Sequence, residues 1–402
     1  MVTLASFADA LGAVAPAVST RKIADMYTHY GSTGTHLYGW NGVFGVSYQY
    51  ELPFVGGLDR EVCDVVKRLR GEEIDLTVEG DAVKYKCGRN RGHYLLLPND
   101  SMYFKDDGPA LPTVDQEFTG EFEVTLDPSV LNALRYVARA SSADKSQDGY
   151  GVSLCISKLG VVLYSTTGIS LTRIIVPAEV FVDGEVMEDP DDLDDADELD
   201  VLFAPEMIVA LMESIDAVDT EGNVTMYLTP EGPLPKDDNK QQQPINVVVT
   251  YGPAVFFSKA KRAPVASIER YELALHHQLG ETHLGDLISM PVALPGNIER
   301  ASWSAREVED HVCRVAVKDN MIRLFGKKRT NSQDDTRQHV WGEASFTEDH
   351  PDVVVYADMA TMALQCAAME RILIKEKSIK FCNDDGSHFF IVGCHTKAHY
   401  EG

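Results

Sequence analysis

No stretch of the 402-residue chain approaches the ~20 consecutive apolar residues that a membrane-spanning helix needs. The opening residues Met1, Val2, Thr3 and Leu4 lack the basic region and small-residue cleavage site of a signal peptide. Together these absences predict an intracellular protein with no membrane partner. The cysteines never form a C-x-x-C pair. The seven, Cys63, Cys87, Cys155, Cys313, Cys366, Cys382 and Cys394, are odd in number and widely spaced, so they read as reduced packing residues rather than as a metal or redox set. There is also no His-Glu-x-x-His, no Gly-x-Ser-x-Gly and no glycine-lysine phosphate loop. His276 and His277 point to opposite faces if they lie on a strand, which disfavours joint metal ligation, with or without His283. The expectation is a protein with no enzymatic activity and no cofactor.

Positive charge is scarce: 36 Lys and Arg stand against 62 Asp and Glu, a formal net charge of −26. A nucleic-acid binder usually advertises a basic surface. Net charge is silent about distribution, however, and an acidic exterior with basic residues gathered on one inner surface would repel DNA everywhere but there. What the chain has in quantity is core material, 44% hydrophobic residues with 8% aromatic, which excludes global disorder. Its length predicts two to four domains.

An internal repeat narrows the number to three. Val124, Thr125 and Leu126 read as a strand that enters a helix through Asp127, a capping residue, and Pro128 at a first helical position. The helix runs on to Ser141. Val292, Ala293 and Leu294 lead similarly through Pro295, Gly296 and Asn297 into Ile298, Ala301 and Trp303. At the N-terminus, Val2, Thr3 and Leu4 enter a helix carrying Phe7, Leu11 and Val14. Each helix is followed by strands that reach a glycine at a comparable distance, Gly42, Gly168 or Gly326, and a turn accounts for all three. The second half of each unit repeats helix and alternating strands: Leu58 to Arg70 before Ile74, Leu76 and Val78; Pro205 to Val218 before Val224, Met226 and Leu228; Asp358 to Arg371 before Ile379 and Phe381. The fold class is therefore α+β, with half-buried antiparallel sheets and two helices per unit. Domains are expected at 1–115, 116–275 and 276–402, with connectors at Pro109 to Gln116 and within Arg262 to Gly285. Asp189 to Asp200 and Thr229 to Pro244 fall outside the repeat and read as surface loops. A calcium loop is the alternative for the first, although it lacks the glycine turn and terminal glutamate of an EF-hand.

At this point the chain resembles the bacterial and phage DNA polymerase sliding clamps, the β-subunit family. Leu126 to Leu171 is similar to the middle domain of that family. It includes Gly151-Val152-Ser153-Leu154 and Leu163-Tyr164-Ser165-Thr166-Thr167-Gly168-Ile169-Ser170-Leu171, with Thr166-Thr167-Gly168 where the family has Thr-Asp-Gly. Further similar points are Glu72-Glu73-Ile74-Asp75-Leu76 and Phe256-Phe257-Ser258-Lys259. The third domain matches least, and His395 to Gly402 run past the family's usual end. The resemblance implies three clamp domains per subunit and a head-to-tail homodimeric ring, with inner helices, outer sheets and strand edges at the chain ends pairing across the interface. It further implies a cytoplasmic processivity factor, of a bacterial or infected host cell, that encircles double-stranded DNA and binds polymerase and clamp loader through short peptide motifs.

A clamp that slides needs sequence-independent attraction to phosphate, so Lys and Arg are expected on the solvent face of the lining helices. On Leu58 to Arg70 the apolar stripe Leu58, Val62, Val65, Val66 and Leu69 leaves Arg60, Lys67 and Arg68 opposite. On Ser129 to Ser141, Val130, Leu134 and Val137 face the core, with Asn132, Arg135, Tyr136 and Arg139 on the other side. Arg371 and Lys375 near the end of the last helix, Arg300 in the third domain, and Arg21 and Lys22 after the first helix are further candidates. The helix Pro205 to Val218 breaks the pattern, carrying Glu206, Glu213 and Asp216 and no basic residue. Matching the family's peptide pocket assigns Thr166, Gly168, Ile169 and Leu171 to one wall, with Ile391 and Val392 of the final strand facing them. Each basic residue is also readable as an ordinary solvated charge, and each apolar one as core. The competing whole-chain readings are a multidomain structural or interaction protein, such as a viral assembly component, and a metal-dependent nucleic-acid enzyme built on the acidic clusters.

Overall fold

The computed structural model describes residues 2–21, 24–105, 107–141, 150–157, 160–166, 170–176, 178–186, 199–218, 222–232, 243–262, 287–305, 312–329, 336–347, 349–367, 369–375 and 378–393. Its described helices are α1 (Leu4–Val14), α2 (Asp25–Thr28), α3 (Glu61–Val66), α4 (Pro128–Arg139), α5 (Pro205–Asp216), α6 (Leu294–Ala305) and α7 (Met359–Cys366). Contacts divide the chain into two compact units, 1–131 with 178–189 and 206–262, and 132–177 with 190–205 and 263–402.

In the first unit one antiparallel series runs from Val2–Thr3 through Glu73–Glu79, Ala82–Cys87, Asn90–Leu97, Gly56–Asp59, His29–Ser32 and His36–Trp40 to Phe44–Gln49. It continues through Ala254–Arg262, Gln243–Tyr251, Val224–Pro230 and Phe122–Thr125 to Val180–Val182 and Glu185–Val186. α1 buries Leu4, Phe7, Ala10, Leu11 and Val14 beneath it, and its start is fixed by Thr3, whose hydroxyl accepts from the Ser6 N–H at 3.2 Å. A Cβ added at Gly12 would sit 3.5 Å from the Ala217 Cβ, so α1 lies close against the end of α5.

In the second unit the series is Leu199–Phe203, Val152–Ser157, Gly160–Thr166, Ser170–Val176, His388–Gly393, Ser378–Cys382, Arg371–Lys375 and Ile288–Ser289. A separate four-stranded sheet orders Thr336–Ser345, Met321–Arg329, Val312–Lys318 and Val353–Asp358. Leu294, Ile298 and Ala301 of α6 and Met359, Met362 and Cys366 of α7 fill a core between them, meeting Val315, Val355, Ile372, Phe381 and Phe390. Burying this many branched and aromatic side chains, at roughly 25 cal/mol per Å² of apolar area, is what holds the layers together.

The pairings repeat three times. A short strand before α1, α4 and α6 pairs with Glu73–Glu79, Val224–Pro230 and Arg371–Lys375 respectively. The strand before or within the second helix step (Gly56–Asp59, Leu199–Phe203, Val353–Asp358) pairs each time with the first strand after the first helix. Alternation of apolar residues with period two, read from the sequence, reflects these sheets.

Several expectations are corrected. The helix predicted over Leu58 to Arg70 is only α3, because Leu58 belongs to Gly56–Asp59, where it pairs with Tyr30 and Leu96 and is buried by the sheet. The helix predicted over Asp358 to Arg371 is only α7. Asp358 is its cap, accepting from Thr361 N–H at 2.7 Å, and the Ile372-Leu373-Ile374 run is a strand. Gly42 does form a hairpin turn, at φ 92°, with Asn41 Oδ1 accepting from the Val43 and Phe44 amides. Gly326 does not, lying inside Met321–Arg329 beside a register shift at Leu324/Phe325. Leu199 and Asp200 begin a strand rather than ending an acidic loop, and Thr229, Pro230, Gln243 and Pro244 are likewise strand residues. Asp189 to Glu198 of the acidic run, His276, His277, His283 and His395 to Gly402 lie outside the described residues, as does Gly168. No helix among the described residues is long and apolar enough to cross a membrane.

Candidate functional site

α4 is built as its sequence dictates. Asp127 Oδ1 accepts from the Ser129 and Val130 amides at 2.8 and 3.1 Å, and Pro128 occupies a position whose N–H would have no helical partner. Val130, Leu134 and Val137 are buried, so Asn132, Arg135, Tyr136 and Arg139 form the opposite face, with Arg139 exposed. Arg135 Nη1 donates to Asn132 Oδ1 at 3.4 Å, which steadies the guanidinium along the helix. Tyr136 and Arg139 line a groove of about 700 Å³ with Glu299 and Trp303 of α6 and with Leu364 of α7. Trp303 is 65% exposed there, an aromatic that helical periodicity alone did not separate from the core.

The other basic candidates are dispersed. Arg60 is the residue before α3 and donates from Nη1 to the Ser19 carbonyl at 3.4 Å. Lys67 closes α3, and Lys67 and Arg68 are both exposed. Arg21 is exposed in a turn whose Ser19 hydroxyl accepts from the Arg21 amide; Lys22 lies outside the described residues. Arg300 is exposed on α6 and donates to Gly296 O at 3.2 Å and to Asn297 Oδ1, bonds that keep it on its own helix. Arg371 and Lys375 are not on a helix. They bound the strand Arg371–Lys375, and Arg371 is paired with Asp384 at 2.7 Å. Arg371 has the strand parity of Leu373, which packs with Cys382 and Phe389 on the sheet face away from α6 and α7.

That same face carries the apolar docking candidates. The antiparallel pair Gly160–Thr166/Ser170–Val176 sets Thr166 opposite Leu171, and the buried Thr166 hydroxyl donates to the Ser170 carbonyl at 2.6 Å, tying the two strand ends. Gly168 and Ile169 lie outside the described residues. Leu171 stands directly across from Ile391 and both join an apolar cluster with Leu287, Leu373, Cys382 and Phe389, with Tyr164 and Leu202 packed against it. Val392, expected on the same wall, has the opposite parity. It points into the core formed with α6 and α7.

Behind this sheet a buried polar chain joins three elements. His388 Nε2 lies 2.8 Å from Gln365 Oε1, and Gln365 Nε2 donates to the Tyr136 carbonyl at 3.3 Å. With the amide nitrogen so engaged, Oε1 accepts and His388 Nε2 carries the proton. Burial lowers the His388 pKa to about 4, so it is neutral at pH 7. No local sequence signal marks this chain, since its members are far apart in sequence. Among the described residues no group of three or more His, Cys, Asp or Glu is placed to hold a metal ion.

Repeated helix-and-antiparallel-sheet units, with sheets that continue from one repeat to another, define the DNA sliding-clamp fold. Solved structures of that fold superpose on almost the whole chain. The DNA polymerase III β subunit of Thermotoga maritima is 16% identical, covering 98% of both chains at a TM-score of 0.68. The Bacillus subtilis sliding clamp is 13% identical, with 98% of both chains covered and a TM-score of 0.66. The Helicobacter pylori β clamp bound to a DNA ligase peptide is 10% identical, with 98% of this chain and 99% of that chain covered and a TM-score of 0.66. No family model and no curated protein sequence matches the chain. The likeness is thus one of fold, carried by structure and not by residue identity.

Proposed function

We propose that the chain is a non-catalytic DNA sliding clamp of three repeats, at 1–115, 116–275 and 276–402. Two copies close head to tail around duplex DNA and tether the replicative polymerase and its loader through short peptides. The observation that carries this reading is the way sheets pass between repeats. The third strand after the first helix of the first repeat, Phe44–Gln49, pairs with the last strand of the second, Ala254–Arg262. In the same manner Ser170–Val176 pairs with His388–Gly393 of the third. One step of the cycle is left over. Thr336–Ser345, the corresponding strand of the third repeat, is an edge of its four-stranded sheet. Asn90–Leu97, the corresponding last strand of the first repeat, meets Gly56–Asp59 only at Leu96 and Leu97. A second copy supplies the missing partner for each edge, and twofold repetition closes the series. Exposed apolar side chains on the two edges, Leu95 at 73% and Val340 at 51%, support the pairing.

Within this reading, Arg135 and Arg139 of α4 are the leading phosphate contacts, joined by Arg60, Lys67, Arg68, Arg21, Lys22 and Arg300. The acidic α5 approaches DNA without contributing to the attraction. A local basic face on α4 reconciles DNA binding with a net charge of −26. Thr166, Gly168, Ile169 and Leu171 with Ile391 are the proposed peptide site, by analogy with the peptide-bound Helicobacter pylori clamp. The test is solution mass and DNA retention: a discrete species of two chains, held on circular DNA and lost from linear DNA, is expected. A monomer, or retention indifferent to DNA ends, overturns the reading in favour of a structural protein that no DNA threads.

A further inference from the structure

The sheet face that bears Leu171 and Ile391 continues, away from Thr166, onto a charged aromatic group. Arg173 stands directly across from Phe389 in the pairing of Ser170–Val176 with His388–Gly393. On the other side, Ser378–Cys382 places Cys382 opposite Phe389 and Lys380 opposite Ile391 on the same face. The Arg173 guanidinium carbon lies 5.1 Å from the centre of the Phe389 ring, and Lys380 Nζ lies 4.6 Å from it.

Two cations thus share one ring, whose π-face offsets part of their mutual repulsion. Among the described residues neither has a carboxylate in ion-pair contact, whereas Arg371 on the same face is paired with Asp384. Arg173 Nε is buried and without a hydrogen-bond partner. Burial first, and the neighbouring Arg173 after it, lower the Lys380 pKa. In a chain with 62 acidic side chains, a half-desolvated pair of cations left without an anion destabilises the fold unless an anion arrives from outside.

We propose that Arg173 and Lys380 bind a carboxylate, forming an anion-binding extension of the apolar docking site that takes an acidic side chain beside the apolar anchor of a docked peptide. This inference rests on reading the Leu171 and Ile391 cluster as a peptide site. Arg173 offers a guanidinium edge for two parallel hydrogen bonds and Lys380 a point charge, so aspartate or glutamate suits the pair better than a neutral amide.

The experiment uses the full chain and two labelled peptides that share a leucine-phenylalanine anchor and differ only in carrying two flanking aspartates or two asparagines. The acidic peptide is expected to bind about tenfold tighter, and the Arg173→Gln, Lys380→Met variant to lose that preference while binding the amide peptide as before. No preference in the unaltered chain, or an undiminished one in the variant, overturns the proposal. If neither peptide binds, the peptide-site reading fails by itself. N-acetyl-aspartate is then titrated while the ¹⁵N signals of Arg173 Nε and Lys380 Nζ are followed: saturable shifts uphold the anion site, and their absence overturns it. Displacement of the acidic peptide by oligothymidylate, abolished in the same variant, assigns the pair to nucleic-acid phosphate and overturns the carboxylate reading.

Discussion

At the scale of single residues, His388 has the clearest consequence. Its folded pKa, about 4, lies below the ordinary histidine value near 6.5. Between those values the unfolded chain binds the extra proton, so stability is intact above pH 6.5 and is lost as pH falls towards 4, by up to roughly 3 kcal/mol. Denaturant unfolding should show a steeper acid loss for the native chain than for His388→Gln; equal slopes would assign the acid loss to other groups. Leu171, buried against Ile391, should cost about 2–5 kcal/mol when truncated to alanine, and the variant should also bind apolar-anchored peptides more weakly. What is legible at this scale is local. Asp127 and Pro128 announce a helix start because capping depends only on the next three residues. Whether Val392 or Ile391 faces Leu171 depends on register with a strand more than two hundred residues away, and no local pattern reports that.

Among the elements, α1, α4 and α5 are legible because their apolar spacing persists for three turns. α3 and α7 are shorter than their spacing predicts, each for a tertiary reason. Leu58 has the right spacing for a helical stripe, yet sheet pairing buries it, and Arg371, expected to end a helix, opens the strand that buries Ile372; burial outweighs a propensity difference of tenths of a kcal/mol. The candidate site inherits this difference, since Arg371 and Lys375 bound a strand and do not lie on a helix. The elements make two predictions. Reversing charge at Arg135 and Arg139 should reduce the slope of log affinity against log salt by about 2, near 0.9 for each phosphate no longer neutralised, with subunit mass unchanged. An unaltered slope would take α4 away from the DNA. Replacing Leu95 or Val340 by aspartate, on the two open edges, should shift sedimentation towards the single chain, while a far-ultraviolet spectrum stays native.

For the whole molecule, the repeat is legible because three helix starts and their following strands recur in order. Passage of sheets between repeats is not, because strands 44–49 and 254–262 carry no mark of their partnership beyond being apolar. It is this passage that turns a repeat into a case for closure: two such junctions are made within the chain, while Thr336–Ser345 is left as a sheet edge and Asn90–Leu97 meets Gly56–Asp59 only at Leu96 and Leu97. The charge of −26 then becomes a constraint on topology. A protein so acidic holds DNA weakly by surface attraction, so firm retention requires encirclement. The direct measurement is to load the chain on nicked circular DNA, isolate the complex in moderate salt, and cut the circle once. Encirclement predicts retention before the cut and release within the sliding time after it. Retention that survives linearisation, or none on the circle even when loading proteins are supplied, would contradict it.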